Sequence, residues 1–131
     1  MHKRNRLFVT LSLIYALLGG AIAIVWLIAP ASIPGNVARL HGHIMLLGFV
    51  AMMVYGVGLH VLPRFSGRPL FSERLANWQL YVANGGLWVM AAGWLSLRNG
   101  VVAAGGMLSW LGIAMFALNI VMTVRHYGPK G

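Results

Sequence analysis

The chain has 131 residues, of which 60% are hydrophobic and only 8% charged, with ten Lys and Arg set against a single acid, Glu73. A soluble domain of this size needs a charged surface that this composition does not supply, so the chain reads as an all-α membrane protein. There is no cysteine, which excludes disulfides, thiolate metal sites and covalent haem attachment through a C-x-x-C-H motif.

Four apolar runs, residues 7–29, 41–62, 75–97 and 101–124, each meet the ~20 residues that a helix needs to cross a bilayer. The first follows the basic stretch "HKRNR". It is far longer than the ~7–15 apolar residues of a signal peptide, so it is expected to be retained as a helix. Pro30, Pro34 and Gly35 in "APASIPGNVA" mark a short loop before the second segment. The second segment opens on "LHGHIMLLGF" and closes at Pro63, ahead of the basic, turn-rich loop "RFSGRPLFSER". The third segment ends at Arg98, Asn99 and Gly100, a tight turn into the fourth. No linker separates domains, so residues 1–131 are expected to form one four-helix transmembrane unit.

With the N-terminus inside, the inner side collects Lys3, Arg4, Arg6, Arg64, Arg68, Arg74, Arg125 and Lys130, and the outer side keeps Arg39 and Arg98. This asymmetry is the positive-inside signal for both termini in the cytoplasm. It also argues against a nucleic-acid partner for the net charge of +9, since the cations serve as topology determinants and partners of lipid headgroups. Glycines recur along the helices, among them Gly48, Gly56, Gly86 and Gly105. Close helix packing in lipid explains them. Gly48 and Gly56 also leave an alternative, room for a flat cofactor beside the second segment.

His41 and His43 are two residues apart, hence ~200° apart around a helix, and face nearly opposite ways. They cannot readily hold one metal ion together, and suit two separate sites or one site repeated at successive subunit interfaces. His60 lies a rise of ~28 Å away from His41, at the inner face. His126 belongs to that same side, and His2 to the basic tail. An ionisable residue within a membrane segment is by default a functional candidate. The plain alternative is a structural protein whose histidines pair with water and carbonyls.

From His41 to Gly67 the chain reads "HGHIMLLGFVAMMVYGVGLHVLPRFSG". This resembles helix ten of subunit I of the haem-copper oxidases, with its H-x-H, a histidine after sixteen residues, and then x-x-P-x-F-S-G. His41, His43, His60, Pro63, Phe65, Ser66 and Gly67 fall in register. The match continues more weakly through "WQLYVANGG" from Trp78 and into the turn at Arg98, and is weakest over the first and fourth segments. The resemblance implies that His41 and His43 are axial ligands of two different haems. It implies that Arg98 meets a haem propionate, and Arg39 is a second candidate on charge and depth. The third segment lacks the histidines that the family's copper needs, and no acid lies within a segment to carry protons. Haem b without copper is therefore expected, about one per chain, and no oxygen reductase of the usual type.

The family's subunit I has twelve helices in three arcs of four, and this chain resembles one arc. Three copies around a closed three-fold axis would recreate the ring, with His41 of one protomer facing His43 of the next; a homodimer is the alternative. The implied setting is the cytoplasmic membrane of a bacterium or archaeon, and the implied role electron transfer with a quinol or redox-protein partner. Two other expectations stand beside it, a haem-holding accessory or assembly protein of a respiratory complex, and a haem protein that binds a small gas.

Overall fold

The computed structural model describes residues 1–125, and His126 and Lys130 lie outside them. Four long helices and no strand are present among the described residues. They are α1 (Lys3–Ile28), α2 (Val37–Phe65), α3 (Glu73–Ser96) and α4 (Asn99–Arg125).

Local chemistry sets the ends of these helices, and it starts each of them two to four residues before the point where hydropathy alone put it. Asn36 caps α2, its side chain accepting a hydrogen bond from Arg39 N at 3.1 Å, as a short polar side chain does at an N-cap. The helix therefore starts four residues before His41, and both histidines lie in its second turn rather than at its mouth. Ser72 caps α3 in the same way, accepting from Leu75 N at 3.1 Å. At the other end of α3, Leu97 takes the left-handed conformation with φ 55°. Arg98 N then closes back on Gly93 O at 3.0 Å, a helix stop of the kind usually given to glycine.

The helix α2 is not uniform. Residues Val37–His43 and Met52–Phe65 are α-helical, and Ile44–Ala51 between them is π-helical. The buried positions explain it, since Leu40, Ile44, Gly48 and Met52 recur at intervals of four. In a pure α-helix that spacing drifts by ~40° at each step, and one extra residue taken up as a π turn keeps all four on the core side.

Packing is tightest within two antiparallel pairs, α1 with α2 and α3 with α4, and the glycines make it possible. A Cβ on Gly48 would lie 2.7 Å from the Tyr15 ring, and one on Gly56 2.9 Å from Asn5 O. Between α3 and α4, a Cβ on Gly86 would lie 2.6 Å from Ser109 N. Protein atoms thus fill the space at Gly48 and Gly56, so these two leave no room for a flat cofactor; the close-packing explanation holds there instead. Across the pairs, Leu40, Ile44 and Met52 of α2 join Leu80, Leu87 and Ala91 of α3 in one buried cluster with Phe8 and Tyr15 of α1.

Polar bonds tie the molecule at the Arg4 end. Arg4 is only 4% exposed, and its guanidinium bonds Glu73 Oε2 at 2.6 Å, Asn77 Oδ1 at 3.0 Å and Asn5 Oδ1 at 3.0 Å. Beside it, Ser72 N donates to Asn119 Oδ1 at 3.0 Å and Phe71 N to Thr123 Oγ1 at 2.9 Å. The loop between α2 and α3 is thereby pinned to α4.

The outer surface is apolar, with Leu17, Leu27, Ile28 and Met107 each more than 70% exposed, a pattern that suits lipid rather than water. Three helices, α1, α2 and α4, are long and apolar enough to cross a membrane. The helix α3 falls short of that measure because it carries Glu73, Arg74, Asn77, Gln79 and Asn84. Glu73 and Asn77 belong to the bonds just described, and Asn84 accepts at Oδ1 from the Tyr15 hydroxyl at 2.6 Å, whereas Gln79 is buried with neither amide atom partnered.

Candidate functional site

The two histidines of the second turn of α2 point to different helices. His41 turns toward α1, where its Nδ1 lies 2.8 Å from Gly19 O. His43 turns toward α3, with its ring 5.5 Å from that of Trp94 at an interplanar angle of 37°, while its Nδ1 lies 2.7 Å from Arg39 O one turn back in α2. One iron cannot take both imidazoles of a chain in this arrangement.

The tautomers follow from the partners. A carbonyl oxygen only accepts, so Nδ1 must carry the proton in both rings, and Nε2 is left with its lone pair when the ring is neutral. Neither Nε2 has a protein partner among the described residues. A metal-binding histidine is typically held in this way, its second nitrogen donating to a backbone carbonyl that fixes the ring and the tautomer. The carbonyl bonds would equally suit a structural histidine, whose partly exposed Nε2 would meet water. Between the rings, Gly42 is exposed, and apart from its two neighbours and its own helix backbone no atom lies within 4 Å of where its Cβ would be. No side chain of this helix position stands between a planar group and the backbone there.

Arg39 joins this site. Its guanidinium carbon lies 5.1 Å from the centre of the Trp94 ring, within cation–π range. The Trp94 indole Nε1 is buried and has no hydrogen-bond partner, an uncommon state for a strong donor. His43, Trp94 and Arg39 therefore bring together a free ring nitrogen, a buried N–H without a partner and a cation. The guanidinium favours an anionic partner such as a carboxylate. Arg98 stands in the exposed turn one helical turn beyond Trp94. Its backbone caps α3 and its carbonyl accepts from Val101 N and Val102 N, each at 3.1 Å. The structure records no contact between its guanidinium and either histidine.

The other histidines are placed apart. His60 is partly exposed in the far half of α2, and His2 caps α1, its Nδ1 accepting from Arg4 N at 3.2 Å. Among the described residues no three of His, Cys, Asp and Glu converge as a metal-ion site.

Trp94 and the Gly19 carbonyl were not legible as site groups in the sequence. Trp94 lay one turn before the flagged Arg98 and was the available signal. Its pairing with Arg39 arises only because the loop before α2 is fixed to α3 by Asn36 N donating to Trp94 O at 2.9 Å. Compared with known proteins, the chain matches no family model, no curated protein and no solved structure.

Proposed function

We propose that this chain is a haem b-binding membrane protein that serves electron transfer, with His41 and His43 as axial ligands to two different haems. The observation that carries the reading is the pair of anchored imidazoles, each with Nδ1 on a carbonyl and Nε2 free. Supporting it are the oxidase-like H-x-H pattern and the orphaned Trp94 N–H beside Arg39.

The chain's own residues have separable tasks in this proposal. His41 and His43 would hold the iron through Nε2, and the carbonyls of Gly19 and Arg39 keep each ring in the tautomer that leaves Nε2 free. Arg39 and Trp94 orient a propionate edge next to His43, and Arg98 is a second cation for the same edge. When bound, haem would supply one-electron exchange, and ligation by two histidines would suit electron transfer rather than gas binding.

The proposed assembly follows from the opposed rings. Each haem would take His41 from one protomer and His43 from the next, in a closed homotrimer with about one haem per chain. In this arrangement α3 crosses the membrane with the other helices, both termini are cytoplasmic, and the chain forms one arc of a twelve-helix ring in a bacterial or archaeal cytoplasmic membrane. A quinol or a redox protein would be the electron partner, and no copper is required.

A visible spectrum of the purified, reduced protein tests the reading. Sharp α and Soret bands that carbon monoxide leaves unchanged are expected. A carbon monoxide shift would favour the gas-binding alternative, and absence of haem absorbance would overturn the proposal. Stoichiometric copper in metal analysis would contradict the cofactor assignment.

A further inference from the structure

The charge inventory at the Arg4 end is unbalanced in a specific way. The chain has one side-chain acid, and that acid, Glu73, is engaged by the buried guanidinium of Arg4. Lys3 and Arg6 lie on the exposed side of the same turns of α1. No side-chain carboxylate of the chain remains to meet them. Together with Leu7 and Thr10 they line a concavity of about 420 Å³. Farther along the same exposed side of α1 come Leu13, Ile14 and Leu17, which are 51%, 52% and 77% exposed.

We propose that this concavity is the seat of an anionic phospholipid. Its phosphodiester lies between Lys3 and Arg6, the Thr10 hydroxyl donates to a lipid oxygen, and an acyl chain runs along Ile14 and Leu17. The order along the helix, cations, then a hydroxyl, then an apolar ridge, repeats the order of headgroup, glycerol and chain along the bilayer normal. Anionic headgroups are the partners that basic groups at a membrane surface recruit. A second copy of the chain does not fit, because it brings the same excess of cations and its one acid is engaged in the same way. A nucleic acid would satisfy the cations and leave the apolar ridge unmatched.

The test is retention of phosphatidylglycerol against phosphatidylcholine by the full-length protein in detergent, followed by native mass spectrometry. Selective retention of phosphatidylglycerol is expected. The double variant Lys3→Gln with Arg6→Gln should weaken it roughly tenfold or more. The charge-preserving pair Lys3→Arg with Arg6→Lys should keep it, as should Arg74→Gln, which removes a cation at the same end on α3. Equal retention of the two lipids, or unchanged retention in the double glutamine variant, overturns the seat. Displacement of the lipid by millimolar inorganic phosphate would also overturn it, since that result describes a free-anion site. If the double variant does not insert, Thr10→Val decides: weakened phosphatidylglycerol retention supports the seat, and unchanged retention overturns it.

Discussion

Single side chains separate the roles proposed at the histidine end. Trp94→Phe keeps an aromatic ring against His43 and removes the orphaned N–H, whereas Arg39→Gln removes the cation and keeps the backbone carbonyl that anchors His43 Nδ1. Both variants are expected to retain a low-spin haem spectrum. Both should also lose part of the preference for haem over its propionate dimethyl ester, measured by competitive loading. Equal loading of haem and ester in the unmodified protein would remove the carboxylate role from this pair without touching the ligation by histidine. At Gly48 the expectation is steric. The Tyr15 ring and a Leu87 methyl occupy the space around its missing Cβ, so Gly48→Leu should destabilise the protein by about 1–3 kcal/mol or more. A thermal melt in detergent reads this out, and an unchanged midpoint would mean the helices can part there at no cost.

The π-helical stretch of α2 makes a prediction that belongs to the element. If Ile44–Ala51 takes up one surplus residue, deleting the exposed Leu46 should restore a plain α-helix and leave the flanking faces in place. Deleting the exposed Val57 from the α-helical part has no surplus to absorb it. It should turn Gly56 and its preceding partners by ~100° relative to Leu59. The Leu46 deletion is therefore expected to stay monodisperse in size-exclusion chromatography, and the Val57 deletion to aggregate. The same stretch shows where sequence reading succeeds and where it stops. Four helices were visible because long apolar runs bounded by Pro, Gly and basic turns have few other solutions in so greasy a chain. Their starts were missed by two to four residues because hydropathy does not see the caps at Asn36 and Ser72. The interval of four from Leu40 to Met52 was in plain view, but its meaning depends on which neighbours cover those positions. The facing directions of His41 and His43 needed only helix geometry. Trp94, the Gly19 carbonyl and the Arg39 contact needed tertiary structure, because each joins helices distant in sequence.

For the whole molecule, the proposed shared ligation predicts complementation. His41→Ala and His43→Ala should each damage every haem site of a homotrimer. Co-expression of the two variants should restore some bis-histidine sites wherever an intact His41 of one chain meets an intact His43 of another. If one single variant keeps a full low-spin spectrum while the other loses all haem, a dimer that uses one histidine per chain replaces the ring. The proposed orientation predicts that a reporter fused after Gly131 is active only in the cytoplasm. At the opposite end from the histidines, Glu73→Gln leaves the buried Arg4 with Asn5, Asn77 and the Glu73 position's backbone carbonyl. Because Glu73 is 58% exposed, a loss of about 1 kcal/mol is expected, lower than for a fully buried pair.

The anchors of the two imidazoles differ in how far they reach along the chain, and this sets an order during synthesis. The His41 partner, Gly19 O, lies 22 residues upstream, so that ring is oriented once the first hairpin has entered the membrane. His43 finds its carbonyl in its own helix, but its aromatic support, Trp94, is made only with the end of α3. A nascent chain therefore completes the surroundings of its two histidines one after the other, His41 first. A fragment released after α2 would carry one positioned imidazole and one without its aromatic wall.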